Sequence, residues 1–301
     1  MSDLFPGFGT EFIETSRFRI YIRMGGFGPP LLCLHGYPET HAMWHQVAGE
    51  LARHFTVVLA DLPGYGQSST PPGDAEHLTY SKRSMAETMI EVMAKLGHES
   101  FRLLGHDRGA RVSYRMALDH PERVERAVLL DIQTTLDVWE GFDRVRALRM
   151  YHWPFLAQPA PLPETMIGAD PRGWVDGRFF RGGKNLPDWL DPRALEAYRT
   201  FMAEPERIHA TCEDYRAGAT IDVEHDRADR DAGKRTDVPL LVLWGTRGNL
   251  VDVAEPLEVW RRWGTNVNGQ AVEAGHFIPE ENPGGMMEVA MPFLEANLHG
   301  G

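Results

Sequence analysis

The sequence predicts an α/β protein with a mainly parallel sheet and helices on both faces. Three observations support this fold class. Short apolar runs alternate with helix-length segments, each run ends at a polar or glycine-rich motif, and the alternation breaks only once, between about residues 135 and 236. With 301 residues, 43% of them hydrophobic and 25% charged, the chain is long enough for a core domain with an insertion.

Five apolar runs have the length and composition of buried strands. They cover residues 30–34, 55–60, 101–104, 126–130 and 239–244, and a weaker sixth run covers 270–273. Helix-length segments, such as residues 81–96, separate them. In open parallel sheets, functional side chains gather just past the carboxyl ends of the strands, and every polar motif of this chain lies there.

The break in the alternation predicts a helical insertion. Residues 135–236 are rich in Trp, Pro and Arg and contain no strand-like run. We predict a core formed by residues 1–136 and 236–301. A helical cap of residues 137–235 would follow the strand that ends at Asp131 and cover the carboxyl edge of the sheet. The alternative is a separate accessory domain.

Charge and cysteine content exclude several classes of protein. Acidic residues outnumber basic ones 43 to 31, for a formal charge of −12, which disfavours nucleic acid as a partner. Cys33 and Cys212 are too few and too far apart for a disulfide framework or a cysteine metal site, which fits a reducing cytoplasm. We find no signal peptide and no apolar run that predicts a membrane span, so we expect a cytoplasmic protein.

The candidate nucleophile is Asp107, in the sequence Gly-His-Asp-Arg-Gly. A strand, a glycine-flanked turn and a helix present a nucleophile at the tip of the turn, commonly a serine. A helix N-cap is the alternative role for this aspartate. An aspartate that attacks a saturated carbon forms an ester that water can cleave, whereas a serine would form a stable ether. The residue type therefore predicts displacement on an alkyl halide or an epoxide.

The candidate base is His276, in the turn Gly275-His276-Phe277 after the last predicted strand. The chain order of nucleophile, acid and histidine is that of hydrolases with such a turn. Two aspartates compete as the acid that orients the histidine: Asp131, which ends a strand, and Asp252, which follows the next one. We favour Asp131. The other histidine near a strand end, His35, is better explained by a structural hydrogen bond.

Two arginines follow the nucleophile. Arg108 and Arg111 are spaced by about one helical turn, so both can face the same side. Paired guanidinium groups match a carboxylate by bidentate hydrogen bonds, which predicts a 2-halo acid, most simply a haloacetate. A surface ion pair is the alternative role for Arg111.

The insertion also offers donors for a departing halide. His152, Trp153 and Tyr215 carry N–H or O–H groups, and a leaving halide needs such donors in the transition state. Aromatic side chains in a cap also serve simply as packing.

Taken together, these residues resemble the haloacetate dehalogenases, including the fluoroacetate dehalogenases. The matching segments lie at 35–45, 60–68, 105–124, 130–132, 151–164, 212–226 and 274–281. The resemblance implies an α/β-hydrolase fold with a helical cap, no metal or organic cofactor, and a homodimer. It implies Asp107, Asp131 and His276 as the catalytic residues. It further implies Arg108 and Arg111 as the carboxylate clamp, and His152, Trp153 and Tyr215 as the halide-binding group.

Three departures from the family pattern bear on specificity. Tyr37 stands where phenylalanine is common, and Asp131 is followed by Ile132-Gln133-Thr134-Thr135, where relatives usually carry a proline before a single threonine. Residues 181–184 lack the tryptophan that relatives tend to have there. The last change predicts a larger pocket, in which chloroacetate, bromoacetate or a longer 2-halo acid competes with fluoroacetate as the preferred substrate.

The sequence thus predicts a hydrolytic dehalogenase that converts fluoroacetate or chloroacetate to glycolate and halide. The alternative is an epoxide hydrolase, which shares the Asp-His chemistry but typically needs two cap tyrosines, for which only Tyr151 is available beside Tyr215. A non-catalytic binding protein is disfavoured because the nucleophile, the acid and the histidine are all present.

Overall fold

A twisted sheet of eight strands forms the centre of the computed structural model, which describes residues 3–180, 185–250 and 255–296. The strands are β1 (Gly9–Glu14), β2 (Arg19–Gly25), β3 (Pro30–Leu34), β4 (Thr56–Ala60), β5 (Phe101–His106), β6 (Val124–Leu130), β7 (Leu240–Gly245) and β8 (Val267–Val272). Their order is β1-β2-β4-β3-β5-β6-β7-β8, and β2 runs against its two neighbours while all other pairs are parallel. The predicted fold class is confirmed.

The apolar runs of the sequence become the central strands. All six residues of β5 are buried, as expected for a strand covered on both faces. Strand β8 begins three residues before the predicted run at 270–273. The sequence did not indicate this start because the first residues of β8 are polar or half-exposed at the edge of the sheet.

The hairpin of β1 and β2 was not predicted from the sequence. Its register pairs Phe12 with Tyr21 and Ile13 with Ile20. Only Ile13 of β1 is buried, so this edge strand gives no apolar run, and arginines at both ends of the apolar part of β2 obscure its signal. The period-2 alternation around Ile20 and Ile22 was the available clue.

Helices on both faces of the sheet belong to the core. They are α1 (Ala48–Leu51), α2 (Lys82–Lys95), α3 (Arg108–Asp119), α12 (Pro256–Arg261), α13 (Ile278–Glu281) and α14 (Pro283–Glu295). Helix α3 packs on β3, β5 and β6, and it begins directly after Asp107. The fold therefore fixes Asp107 at the carboxyl edge of the sheet.

Eight further helices lie between β6 and β7 in the described part of the chain. They are α4 (Thr135–Glu140), α5 (Arg144–Arg149), α6 (His152–Leu156), α7 (Leu162–Ala169), α8 (Pro171–Phe180), α9 (Pro192–Met202), α10 (Pro205–Ala219) and α11 (Ile221–Asp231). Helix α10 contacts α6, α7, α9 and α11 and so forms the centre of this layer. The helical character agrees with the expectation for this segment, while the domain limits at 136/137 and 235/236 stay predictions.

None of the helices in the described ranges combines the length and apolarity needed to cross a membrane. Both cysteines, Cys33 and Cys212, are buried free thiols.

The start of α3 leaves no room for a side chain at Gly109. A Cβ there would lie 2.3 Å from the Leu34 carbonyl oxygen, and the Gly109 amide already donates to His35 O at 2.9 Å. We expect Gly109→Ala to lower the free energy of unfolding by about 1–3 kcal/mol, because main-chain atoms must move to admit the methyl group. Urea denaturation measures the effect.

Gly168 of α7 is the matched control, because a Cβ at this exposed helical position meets nothing within 4 Å. Gly168→Ala should leave stability unchanged or raise it by up to about 1 kcal/mol. Equal stability of the two variants would contradict the close approach of α3 to β3.

Candidate active site

Asp107 lies at the tip of the turn between β5 and α3. Its backbone has φ +43° and ψ −113°, a conformation that non-glycine residues rarely adopt and that marks strained functional turns. The side chain makes no capping hydrogen bond to α3, which argues against the N-cap alternative. Its Oδ1 is buried and has no hydrogen-bond partner in the described residues, so the turn presents a carboxylate oxygen.

His276 stands between the two candidate carboxylates. Its Nε2 lies 3.5 Å from Asp107 Oδ2, and its Nδ1 lies 2.7 Å from Asp131 Oδ2. Main-chain amides of Gly245 and Asn249 donate to Asp131 at 3.1 and 2.7 Å and hold this carboxylate towards the ring. The competing acid, Asp252, lies outside the described residues.

The charges of these three groups support one another. Burial alone would lower the pKa of His276, but its hydrogen bonds to Asp107 and Asp131 raise that pKa to about 10. Burial alone would raise the pKa of Asp107, but His276 and the nearby Arg111 and Arg108 hold it well below its usual range. At neutral pH Asp107, the candidate nucleophile, is therefore an anion beside an imidazolium.

Arg108 is fully buried and already has an acidic partner. Its Nε and Nη2 donate to the two carboxylate oxygens of Asp214 at 2.8 and 2.7 Å. Asp214 lies on α10 and also accepts from Tyr65 Oη at 2.6 Å and from Lys82 Nζ. Arg108 Nη1 is buried and has no partner among the described residues, so this nitrogen alone remains available to a ligand.

Arg111 differs from Arg108 in its surroundings. Its Nη1 donates to the main-chain oxygen of Gln133 at 3.0 Å, its Nε has no partner in the described part of the chain, and no carboxylate there forms an ion pair with it. Burial lowers the pKa of Arg111, and the Asp107 charge opposes that shift. The structure thus brings both predicted arginines beside Asp107 but gives only Arg111 an uncompensated charge.

The three predicted halide donors form one aromatic cluster. The ring of Tyr215 lies 5.8 Å from that of His152 and 6.0 Å from that of Trp153. Tyr215 Oη and His152 Nδ1 are buried and have no partners in the described residues. Burial and the charge of Asp107 raise the pKa of Tyr215, and burial lowers the pKa of His152, so one is a protonated phenol and the other a neutral imidazole.

Tyr37 joins this cluster from the core. Its ring lies 5.3 Å from the Tyr215 ring and stacks on His152 at 6.2 Å, and its hydroxyl accepts from Trp174 Nε1 of α8. The tyrosine that the sequence places at this position is thus tied to the cap. By contrast, Tyr151, the second tyrosine considered for epoxide chemistry, is half-exposed.

A cavity of about 350 Å³ opens onto the nucleophile. Its lining consists of Tyr37, Asp107, Arg149, Tyr151, His152, Gly177, Arg178, Arg247, Asn249, His276 and Phe277. Arg108 and Arg111 do not line it, because they lie against the rings of Tyr215 and Trp153 at 4.2 and 4.5 Å. The two arginines therefore lie near Asp107 without forming part of the cavity wall.

Sequence reasoning did not identify the buried residues that hydrogen-bond to the residues of the site. His106 Nε2 donates to the main-chain oxygen of His276 at 2.9 Å, and His106 Nδ1 lies 2.9 Å from the buried Glu39. Asp214 was part of a recognised segment, but nothing local indicated its pairing with Arg108. The His35 ring hydrogen-bonds with the main chain, to Gly36 O and from Leu62 N, and its Nε2 also lies 3.8 Å from Asp61 Oδ1. Within the described ranges, no group of three or more His, Cys, Asp or Glu side chains is arranged to hold a metal ion.

Comparison with known proteins places this geometry in a family. Residues 29–283 match the α/β hydrolase fold family. The chain is 43% identical to a fluoroacetate dehalogenase of Burkholderia sp. over 97% of its own length and 95% of that protein. It is 29% identical to the soluble epoxide hydrolase of Corynebacterium sp. (strain C12), covering 92% of this chain and 94% of that one.

Solved structures show the same architecture. A proposed α/β hydrolase from Nostoc sp. PCC 7120 superposes with a TM-score of 0.91 at 46% identity, covering 97% of this chain and 98% of that one. A variant of a proposed epoxide hydrolase from Pseudomonas aeruginosa, solved with bound MFA, gives 0.90 at 45% identity, with 97% of each chain covered. The chain belongs to the α/β-hydrolase fold family and, within it, to the haloacetate dehalogenase-like hydrolases.

Proposed function

We propose that this hydrolase removes the halogen from haloacetates hydrolytically, yielding glycolate and halide. The observation that carries the proposal is the buried, unpaired Oδ1 of Asp107, whose other oxygen, Oδ2, lies 3.5 Å from His276 of the His276–Asp131 pair. In the first step Asp107 Oδ1 attacks the halogen-bearing carbon. A C–O bond forms as the carbon–halogen bond breaks, and the halide leaves with the bonding electrons.

The substrate carboxylate is bound beside Asp107 by two arginines, Arg111 and Arg108, that contribute differently. Arg111 supplies the charge, because no acid in the described residues neutralises it, while Arg108 supplies a single oriented donor, Nη1. Asp214 holds Arg108 by two hydrogen bonds and so fixes the direction of that donor. Together the two cations offset the repulsion between the substrate anion and Asp107.

The departing halide is stabilised by Tyr215, His152 and Trp153. Tyr215 Oη and His152 Nδ1 are already desolvated and unpaired, so they lose no hydrogen bond when the halide accepts from them. This preorganisation matters most for fluoride, the strongest hydrogen-bond acceptor among the halides.

The second step depends on a change in His276. Once Asp107 is an ester its negative charge is gone, and one of the two causes that raise the pKa of His276 disappears. The imidazolium then releases its proton to solvent and becomes a base, oriented by Asp131 at 2.7 Å. It takes a proton from water as the water attacks the ester carbonyl, and cleavage releases glycolate and restores the carboxylate.

Epoxide hydrolysis is the second candidate function. The observation that favours it is the edge-to-face packing of the Tyr37 and Tyr215 rings, whose centres lie 5.3 Å apart, because Tyr37 lines the cavity and Tyr215 lies next to it. Such a pair suits protonation of an epoxide oxygen as the ring opens. Arg111, which has no acidic partner in the described residues, favours the haloacid instead.

Asp107→Asn should lower halide release from fluoroacetate and chloroacetate by roughly a thousandfold or more, because an amide oxygen is a poor nucleophile. Ion-selective electrodes measure the release, promptly after purification to limit deamidation. Asp188→Asn, the same change at an exposed position in the cap segment, is the control and should remain fully active. Full activity of Asp107→Asn would refute the mechanism, and styrene oxide turnover without halide release by the wild type would favour the epoxide function.

Tyr215→Phe should lower kcat for fluoroacetate by about a hundredfold and lower kcat for chloroacetate clearly less. The variant removes a hydroxyl that has no hydrogen-bond partner in the described residues, so folding should not suffer. Tyr151→Phe, at the half-exposed tyrosine of the cavity mouth, is the control. Equal losses on both substrates would show that Tyr215 packs in the pocket without bonding the halide.

Stability should depend on pH through the charged pair. The folded-state pKa of His276 is raised from 6.5 to about 10, so its contribution is complete below pH 6.5 and lost as pH rises towards 10. The pKa of Asp107 is lowered from 3.8, so its contribution is lost as pH falls below that value. We expect the free energy of unfolding of the wild type to fall more steeply between pH 6.5 and 10 than that of Asp107→Asn. Urea denaturation measures it, with Asp188→Asn as the control, and parallel curves would contradict the pairing.

A further inference from the structure

Arg178 is a charged side chain of the cavity wall that the proposed chemistry does not use. It lies on α8, is partly buried, and lines the same cavity as Asp107 and His276. Its guanidinium carbon lies 5.0 Å from the centre of the Tyr151 ring, which holds the side chain at the mouth. Its Nη1 is shielded from solvent and has no hydrogen-bond partner in the described part of the chain.

Nothing in the described residues neutralises this cation. No carboxylate there lies within ion-pair distance of Arg178, whereas Arg172 on the same helix pairs with Glu196 at 2.7 Å. Such isolation is notable in a chain with 43 acidic and 31 basic residues. A shielded guanidinium nitrogen without a partner is costly unless a ligand satisfies it.

The charge of Arg178 acts on the interior of the cavity. Burial is the main cause that lowers the pKa of His152, and the nearby charge of Arg178 is the next. The two other arginines of the wall are placed differently: Arg149 donates to Gly248 O at 2.8 Å, and Arg247 is exposed, 3.9 Å from Glu273. Arg178 is therefore the cation in the wall best placed to meet a bound anion.

Arg178 is separate from the two arginines beside Asp107. Arg108 and Arg111 pack against the rings of Tyr215 and Trp153 and are not part of the cavity lining, whereas Arg178 is. A volume of about 350 Å³ falls within the range of roughly 300–1,000 Å³ that is typical of sites for larger ligands. A haloacetate has one carboxylate and would leave Arg178 unsatisfied.

We propose that the site takes 2-halo acids that carry a second carboxylate, with Arg178 binding that second group. The inference rests on the proposed dehalogenation, since the first carboxylate is bound by Arg111 and Arg108. With 2-chlorosuccinate, Asp107 forms an ester at C2 as chloride leaves with the bonding electrons. Water, deprotonated by His276, then cleaves the ester to give 2-hydroxysuccinate, and the proton from water passes to solvent through His276.

The test compares three substrates: chloroacetate, 2-chlorobutanoate and 2-chlorosuccinate. The second has the chain length of the third but lacks its second carboxylate. Chloride release gives kcat and KM, and mass spectrometry of products formed in ¹⁸O-labelled water separates hydrolysis from elimination. The proteins are the wild type, Arg178→Met, Arg178→Lys, and Arg172→Met as a control on the exposed side of the same helix.

For the wild type we expect 2-chlorosuccinate to be turned over with a higher kcat/KM than 2-chlorobutanoate. Arg178→Met should raise KM for 2-chlorosuccinate by about 10–100-fold, as for loss of one charge-assisted hydrogen-bonded pair. Its effect on chloroacetate should stay below about threefold, Arg178→Lys should restore part of the loss, and Arg172→Met should match the wild type. Equal losses on all three substrates would overturn the proposal.

Inhibition gives a readout that does not need turnover of the long substrate. Succinate should inhibit chloroacetate hydrolysis competitively and more strongly than butanoate, and Arg178→Met should remove that difference. If Arg178→Met fails to fold, Arg178→Lys and the inhibition of the wild type still decide. Turnover of chloroacetate without any preference for a second carboxylate would overturn this inference alone, whereas no halide release from any substrate would overturn the proposed function as well.

Discussion

The buried ion pair between Arg108 and Asp214 is the interaction on which the site depends. Both side chains are fully buried, and a charge in such a position is tolerated only when it is paired and hydrogen-bonded. Arg108 belongs to the turn that carries the nucleophile and Asp214 to helix α10 between β6 and β7. Because neither charge can be left alone, the pair fixes α10 over the nucleophile and with it the neighbouring Tyr215.

Side chains of opposite charge are neighbours throughout the candidate active site. His276 lies between the carboxyl groups of Asp131 and Asp107, and Arg111 lies near Asp107. Each of these largely buried side chains has a neighbour of opposite sign. Under the proposed mechanism, ester formation removes the charge on Asp107 and thereby lowers the pKa of the neighbouring His276.

The candidate catalytic residues could be predicted from the sequence. The charged residues that were missed, Asp214 and Arg178, both lie inside helices. Asp107 and Asp131 follow buried apolar runs and His276 follows the edge strand β8, and the end of a strand in a parallel sheet is a position where functional side chains gather. Asp214 and Arg178 lie inside helices α10 and α8, and because a charged residue on a helix normally faces solvent, only the packing of distant segments shows their surroundings. The hairpin of β1 and β2 was missed for a different reason. Strand β1 lies at the exposed edge of the sheet and buries only Ile13, so it gives no apolar run in the sequence.

Because of the insertion between β6 and β7, substitutions that change the cavity wall lie in a different segment from the residues that carry the candidate catalytic groups. Strands β6 and β7 are neighbours in the sheet, with pairs that run from Ala127–Leu240 to Leu130–Leu243. The inserted segment therefore leaves the sheet and returns to it at adjacent strands. Substitutions within it can reshape the cavity wall while Asp107, Asp131 and His276 remain on the unaltered core. Arg108 and Asp214 form one of several contacts between the core and the insertion, which include Tyr65 with Asp214 and Trp174 with Tyr37. Because both charges are fully buried, replacing either one alone deprives the other of this partner, whereas Arg178 has no ion-pair partner in the described residues and can be replaced without that penalty.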